Sequence, residues 1–191
     1  MLIPKIILSI SIFVWLLVPI RHYGARFFYY FLILAILDPL ILFIHLFVEL
    51  QPVRIYSIGV LFQILFLFRS DNVLKHKILA FVSTISIIVF SFYFDVSAVI
   101  IMIMLENIFI LLFLIRMTVL NIYDSQQINL FYLFLDFYVF TLIIKFLVDI
   151  INLHLGLFYF YATTAFEIII AILFILYNEK NSPRIWLASK N

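Results

Sequence analysis

Residues 32–50 read LILAILDPLILFIHLFVEL, and in this otherwise apolar run Asp38, His45 and Glu49 stand at i, i+7 and i+11. At about 100° per residue the three fall within roughly 40° of one another on a helix, forming one polar stripe. A charged side chain in the middle of a bilayer costs about 2.5–3.5 kcal/mol, so each must be paired, protonated or in contact with water. Pro39 directly follows Asp38. Its missing N–H frees a carbonyl one turn back, which predicts a helix kink there.

Groups of the same kind recur in later apolar runs. Glu106 is followed by Asn107, and Lys145 precedes Asp149 by four residues, a spacing that suits an ion pair along one helix. Asp136 has Tyr132 one turn away, on the face opposite Lys145. Glu167 follows Thr163 and Thr164 by one turn, and Tyr56 and Gln63 share a face at i, i+7. Asp38, His45, Glu49, Glu106, Asp136, Lys145, Asp149 and Glu167 therefore make up a candidate ligand or ion pathway. Such a set suits a proton, a cation or an amine, and equally a polar core holding glycine-poor helices together.

Other chemistries find no support. With no cysteine, the chain has no disulfide, thiolate zinc site or iron–sulfur cluster. His22 and His76 fall in loops while His45 and His154 lie toward the opposite side, so no metal or other cofactor is expected. The last apolar run carries Glu167 and no lysine, which leaves a retinal Schiff base without an anchor. No nucleophile–base pair, phosphate-cradling glycine loop or nucleic-acid signature is present. A three-helix repeat of the kind found in small carriers would place prolines in both halves; Pro19 and Pro39 have no counterparts in the fifth and sixth runs.

The elements that must position these residues follow from composition. Of 191 residues, 68% are hydrophobic and 12% charged, far from the near-half and near-quarter of a soluble domain. Apolar runs long enough to span recur throughout, and alternating barrel strands do not. The expectation is an all-α integral membrane bundle of seven spans, near 4–20, 27–50, 53–69, 78–94, 97–120, 128–153 and 155–178. Residues 1–178 then form one transmembrane domain and 179–191 a short basic tail. Lys5 before the first run resembles a signal peptide, but Tyr23 in HYGA occupies a position where cleavage needs a small residue.

Loop chemistry supplies the breaks. Ser70 or Asp71 suits an N-cap for the fourth run, and Asp95 or Ser97 for the fifth. Asp124 and Gln127 have the spacing of a capping box for the sixth, and QPVR (51–54) reads as a tight turn. In the tail, Ser182–Pro183 reads as the start of a short helix lying in the interface. Arg21, Arg26, Arg69, Lys75, Lys77, Arg116, Lys180, Arg184 and Lys190 fall on one side, against Lys5, Arg54 and Lys145 on the other. Positive loops stay in the cytoplasm, so the N-terminus is expected outside and the C-terminus inside. In a bacterium this is the inner membrane.

Two function classes remain. One is a non-enzymatic membrane module, a sensor or a subunit of a complex, acting through a protein partner or a second copy of itself. The other is a small proton- or cation-coupled transporter or channel using the intramembrane carboxylates. Beyond protein, the partner is the lipid bilayer and not nucleic acid.

Overall fold

Apolar runs without water must satisfy every backbone amide internally, and helices do this within one segment. The computed structural model describes residues 2–47, 51–67, 85, 88–89, 92–151, 153 and 155–186. Within them lie α1 (Leu2–Arg21), α2 (Phe28–Phe47), α3 (Pro52–Leu67), α4 (Val96–Ser125), α5 (Leu130–Ile150) and α6 (Gly156–Leu176). Two short strands, β1 (Gln127–Asn129) and β2 (Arg184–Trp186), pair antiparallel with Ile128 opposite Ile185. The chain is a helical membrane protein: α1, α4, α5 and α6 are each long and apolar enough to cross a bilayer. Large apolar side chains such as Phe13, Phe43, Phe109 and Ile169 point outward, the surface a lipid solvent favours.

Six of the seven expected runs coincide with these helices to within a few residues, except that α4 extends to Ser125. The fourth, 78–94, lies outside the described residues apart from Ile85, Ile88, Val89 and 92–94, as do the proposed caps Ser70 and Asp71. Three local expectations are corrected. Asp124 does not start a helix; it sits in the last turn of α4, which ends at Gln126 in the left-handed region (φ 54°). The sixth run is capped instead by Asn129, whose side chain accepts from the Phe131 amide. QPVR is the first turn of α3, where the missing N–H of Pro52 goes unneeded. Residues 184–186 are a strand and not a helix, because β1 offers them a partner. Asp95 does precede α4 in extended conformation, without a side-chain capping bond.

The helices close into a ring in which α1 packs on α2, α2 on α3, α3 on α4, α4 on α5, and α6 on α1. Contact between α5 and α6 is sparse. Gly59 lets α3 approach α2 so closely that a Cβ there would strike Leu37.

Ring contacts set the direction of each helix. Tyr29, at the start of α2, stacks on Phe66, at the end of α3 (4.9 Å). His22 and Phe31 sit against Phe131 and Phe174, beside the strand pair. This ribbon end thus collects the C-termini of α1, α3, α4 and α6 and the N-termini of α2 and α5. At the far end, the Arg54 guanidinium donates to the carbonyls of Phe92 (2.7 Å) and Phe94 (3.3 Å), fixing the start of α4 beside that of α3.

Candidate functional site

At about 1.5 Å per residue, Asp38 on α2, Tyr56 on α3, Tyr138 on α5 and Glu167 on α6 all lie roughly 12–17 Å from the ribbon end of their helices. Lys145 starts further out on α5, and its long side chain meets Glu167: Nζ donates to Oε1 at 2.9 Å. Among the described residues this is the one ion pair closer than 4.0 Å. It bridges the neighbouring helices of the ring that otherwise touch least. Asp38 lies within Coulombic reach of both members, and so does Tyr159. Tyr56 and Tyr138 feel the charges of Asp38 and Glu167. Three helices thus bring two carboxylates and one ammonium into a single seam lined with phenols.

The seam is not fully enclosed by the described residues. Asp38 is exposed, and the Lys145 and Glu167 side chains keep 42% and 18% of their surface. With both carboxylates ionised, the two of them and the one ammonium carry a net charge of one negative unit.

Toward the ribbon end the bundle is sealed. Phe27, Phe31, Phe131 and Phe174 are at most 1% exposed, with Phe31–Phe174 centroids 4.9 Å apart and Phe27–Phe131 5.7 Å. Trp15 closes the layer above, 5.0 Å from Tyr138. Each such pair adds about 0.5–1.5 kcal/mol beyond area burial. His22 completes the plug from the α1–α2 turn: its Nε2 lies 3.0 Å from the Phe174 carbonyl and its ring 4.5 Å from Phe31. Because α6 ends two residues after Phe174, that carbonyl has no helical donor of its own, and His22 Nε2 supplies one. Burial pushes the imidazole pKa below its usual 6.5, with the neighbouring Arg21 charge adding to the effect; the Phe174 carbonyl and Glu179 pull the other way.

The tail locks this end. The Phe131 amide is held by both Asn129 Oδ1 (3.0 Å) and Ser182 Oγ (2.9 Å). Asn129 Nδ2 donates to the Glu179 carbonyl (3.0 Å), the Leu130 amide to that of Pro183 (3.1 Å), and the Tyr132 hydroxyl bonds the Glu179 carboxylate.

The other expected site residues are dispersed. Lys145 pairs with Glu167 and not with Asp149 on its own helix: a partner across the α5–α6 gap is nearer than one a turn along. Asp149 is exposed and reaches only the field at Tyr159. Asp136 is apart, taking the Thr118 hydroxyl of α4 at 2.7 Å, and Tyr132 turns from it to Glu179. Glu106 is buried on α4 with neither oxygen bonded among the described residues, while its neighbour Asn107 donates to the Ile103 carbonyl (2.8 Å). Pro39 lies within α2, which continues to Phe47. Glu49 and His154 fall outside the described residues, and of His45 the backbone alone is described. Tyr138 was legible without being read: it precedes Lys145 by seven residues and so shares its face. His22, Glu179 and Ser182 carried no comparable signal.

No family model matches the chain, and no curated protein or solved structure matches it either.

Proposed function

We propose that this chain is a seven-span membrane module, N-terminus outside and C-terminus inside, that takes up a proton or cation in its charged seam and acts through a partner chain, as a sensor or a complex subunit. Support for seven spans comes from the helix ends. Leu67 closes α3 at the ribbon end, whereas Phe92 and Phe94 are held by Arg54 at the far end. One crossing by the apolar run 78–94 would join these two ends and make seven spans. Support for the orientation is the basic character of the ribbon end, which carries Arg21, Arg26, Lys180 and Arg184.

The observation that carries the module over a conduit is the plug. A seam able to bind a cation sits above a layer of aromatic rings with no exposed face, tied by the ribbon and the tail. Binding at Lys145–Glu167 bears on α5 and α6, and both helices end in that ribbon, so a shift in the seam reaches the inner surface where a partner chain can read it. The test is gentle purification from native membranes, followed by protein mass spectrometry and by flux in proteoliposomes. A stoichiometric partner with no flux above empty vesicles supports the module. A chain that emerges alone and conducts would overturn it.

The second reading, a proton- or cation-coupled transporter, is favoured by the exposure of Asp38 beside a net negative site. It requires the plug to open, and it predicts a flux that Asp38→Asn abolishes while the fold is kept.

A further inference from the structure

At the ribbon end, Arg21, Tyr23, Gly24, Arg26, Asn121, Ser125, Asn129, Asn178, Glu179, Lys180 and Arg184 surround a cleft of about 580 Å³. Four cations face one carboxylate, and that carboxylate is already engaged by the Tyr132 hydroxyl. None of the four is in an ion pair among the described residues. Around them lie Asn121, Asn178 and Ala25, with Ser125 and Asn129, whose side-chain donors are already held by the carbonyls of Asn121 and Glu179. Gly24, at φ +72°, turns the chain at the mouth without a side chain to fill it. Three guanidinium forks and one ammonium in one cleft are the equipment for a phosphate group.

A second feature adjoins it. Leu16, Pro19, Ile20, Phe28, Leu32 and Ile36 line an apolar groove of about 360 Å³ between α1 and α2. Tyr23 borders both spaces, its ring edge-on to Phe28 at 5.4 Å. A polar cleft opening at the end of a bilayer-facing apolar groove matches one kind of molecule, with a charged head and an acyl tail. A free phosphate would use the cleft and leave the groove unexplained.

We propose that the two together hold one phospholipid of the ribbon-side leaflet, its anionic head in the cleft and an acyl chain along the α1–α2 groove. The site stands apart from the charged seam and needs neither the partner nor the seven-span topology. A lipid seated there ties the α1–α2 turn to the tail.

The test uses the full chain in nanodiscs of phosphatidylcholine, with or without phosphatidylglycerol, followed by native mass spectrometry of lipid kept after release into detergent. The wild type should retain one phosphatidylglycerol in preference to phosphatidylcholine. Arg26→Gln with Arg184→Gln should cut that retention by about fivefold per charge removed. Ile36→Trp, which fills the groove from its exposed side, should cut it with the cleft intact. Unchanged circular dichroism and melting in the variants keep loss of lipid distinct from loss of fold. Equal retention of both lipids would overturn the proposal, as would indifference to the arginine changes. Displacement of the lipid by millimolar inorganic phosphate, with Ile36→Trp behaving as wild type, would assign the cleft to free phosphate instead.

Discussion

The ribbon end and the charged seam solve the same problem, polar groups in a mostly apolar chain, in opposite ways. At the ribbon end, loops supply partners of every kind. Asn129 and Ser182 share one amide, Glu179 receives Tyr132, and His22 reaches a helix-end carbonyl across the bundle. In the seam and further out, the walls are helices whose backbone groups are already spent. Short polar side chains such as Asn107 and Thr164 fold back onto their own helix, but the charged ones depend on each other: Lys145 finds Glu167, Asp38 stands exposed within their field, and Glu106 has no hydrogen bond among the described residues. The first region is built to stay closed. The second keeps polar capacity in reserve, which is what a binding site requires.

The largest expected effect lies in the closed region. Phe174→Ala removes a ring that touches Trp15, Phe31, Phe131 and Tyr138, and should cost about 3–5 kcal/mol. Unfolding in mixed detergent measures it; a loss below about 1 kcal/mol would mean that the plug is loosely packed. In the seam, Lys145→Met strands Glu167 and should cost about 2 kcal/mol, less than a fully buried pair because the lysine is part-exposed. Lys145→Met with Glu167→Gln should recover at least half of that. Strict additivity of the two changes would show that the pair is not coupled.

Smaller effects sharpen the contrast. Asn129→Ala should cost about 1 kcal/mol and no more, since Ser182 still holds the Phe131 amide; with Ser182→Ala added, the loss should exceed the sum of the single changes. The smallest effect is a pH dependence at His22. Its folded pKa lies below the unfolded value of 6.5, so the unfolded state takes up the proton first. Stability should therefore be constant above pH 6.5 and fall as the pH drops through that value, by under about 1 kcal/mol per pH unit. His22→Gln should flatten this slope, and an unchanged slope would place the titrating group elsewhere.

The two regions also differ in how far the sequence announced them. Helices were legible because hydrophobic runs and short loops determine them locally. Asp38, Lys145 and Glu167 were legible as expensive residues, but their partnership was not. Which helix faces which depends on ring order and rotation, so the i, i+4 neighbour Asp149 looked like the partner of Lys145. The ribbon end was nearly silent. Three-residue strands that pair Asn129 with Arg184 from far apart in the chain carry no periodicity, and Ser182 resembled a helix cap because it does cap a helix, α5 rather than one of its own.

The proposed module requires a seam reached from the far end, with the aromatic layer shutting off the ribbon end. The chain has no cysteine, so single cysteines can be placed without background. The measurement is labelling of Asp38→Cys by a membrane-impermeant thiol reagent, added to one side and then the other of oriented vesicles, with Leu135→Cys, fully buried on α5 one turn beyond Phe131, as a plug control. The account predicts that position 38 reacts from the N-terminal side alone and position 135 from neither. Reaction at position 38 from the ribbon side would contradict it, and would turn the module into a conduit.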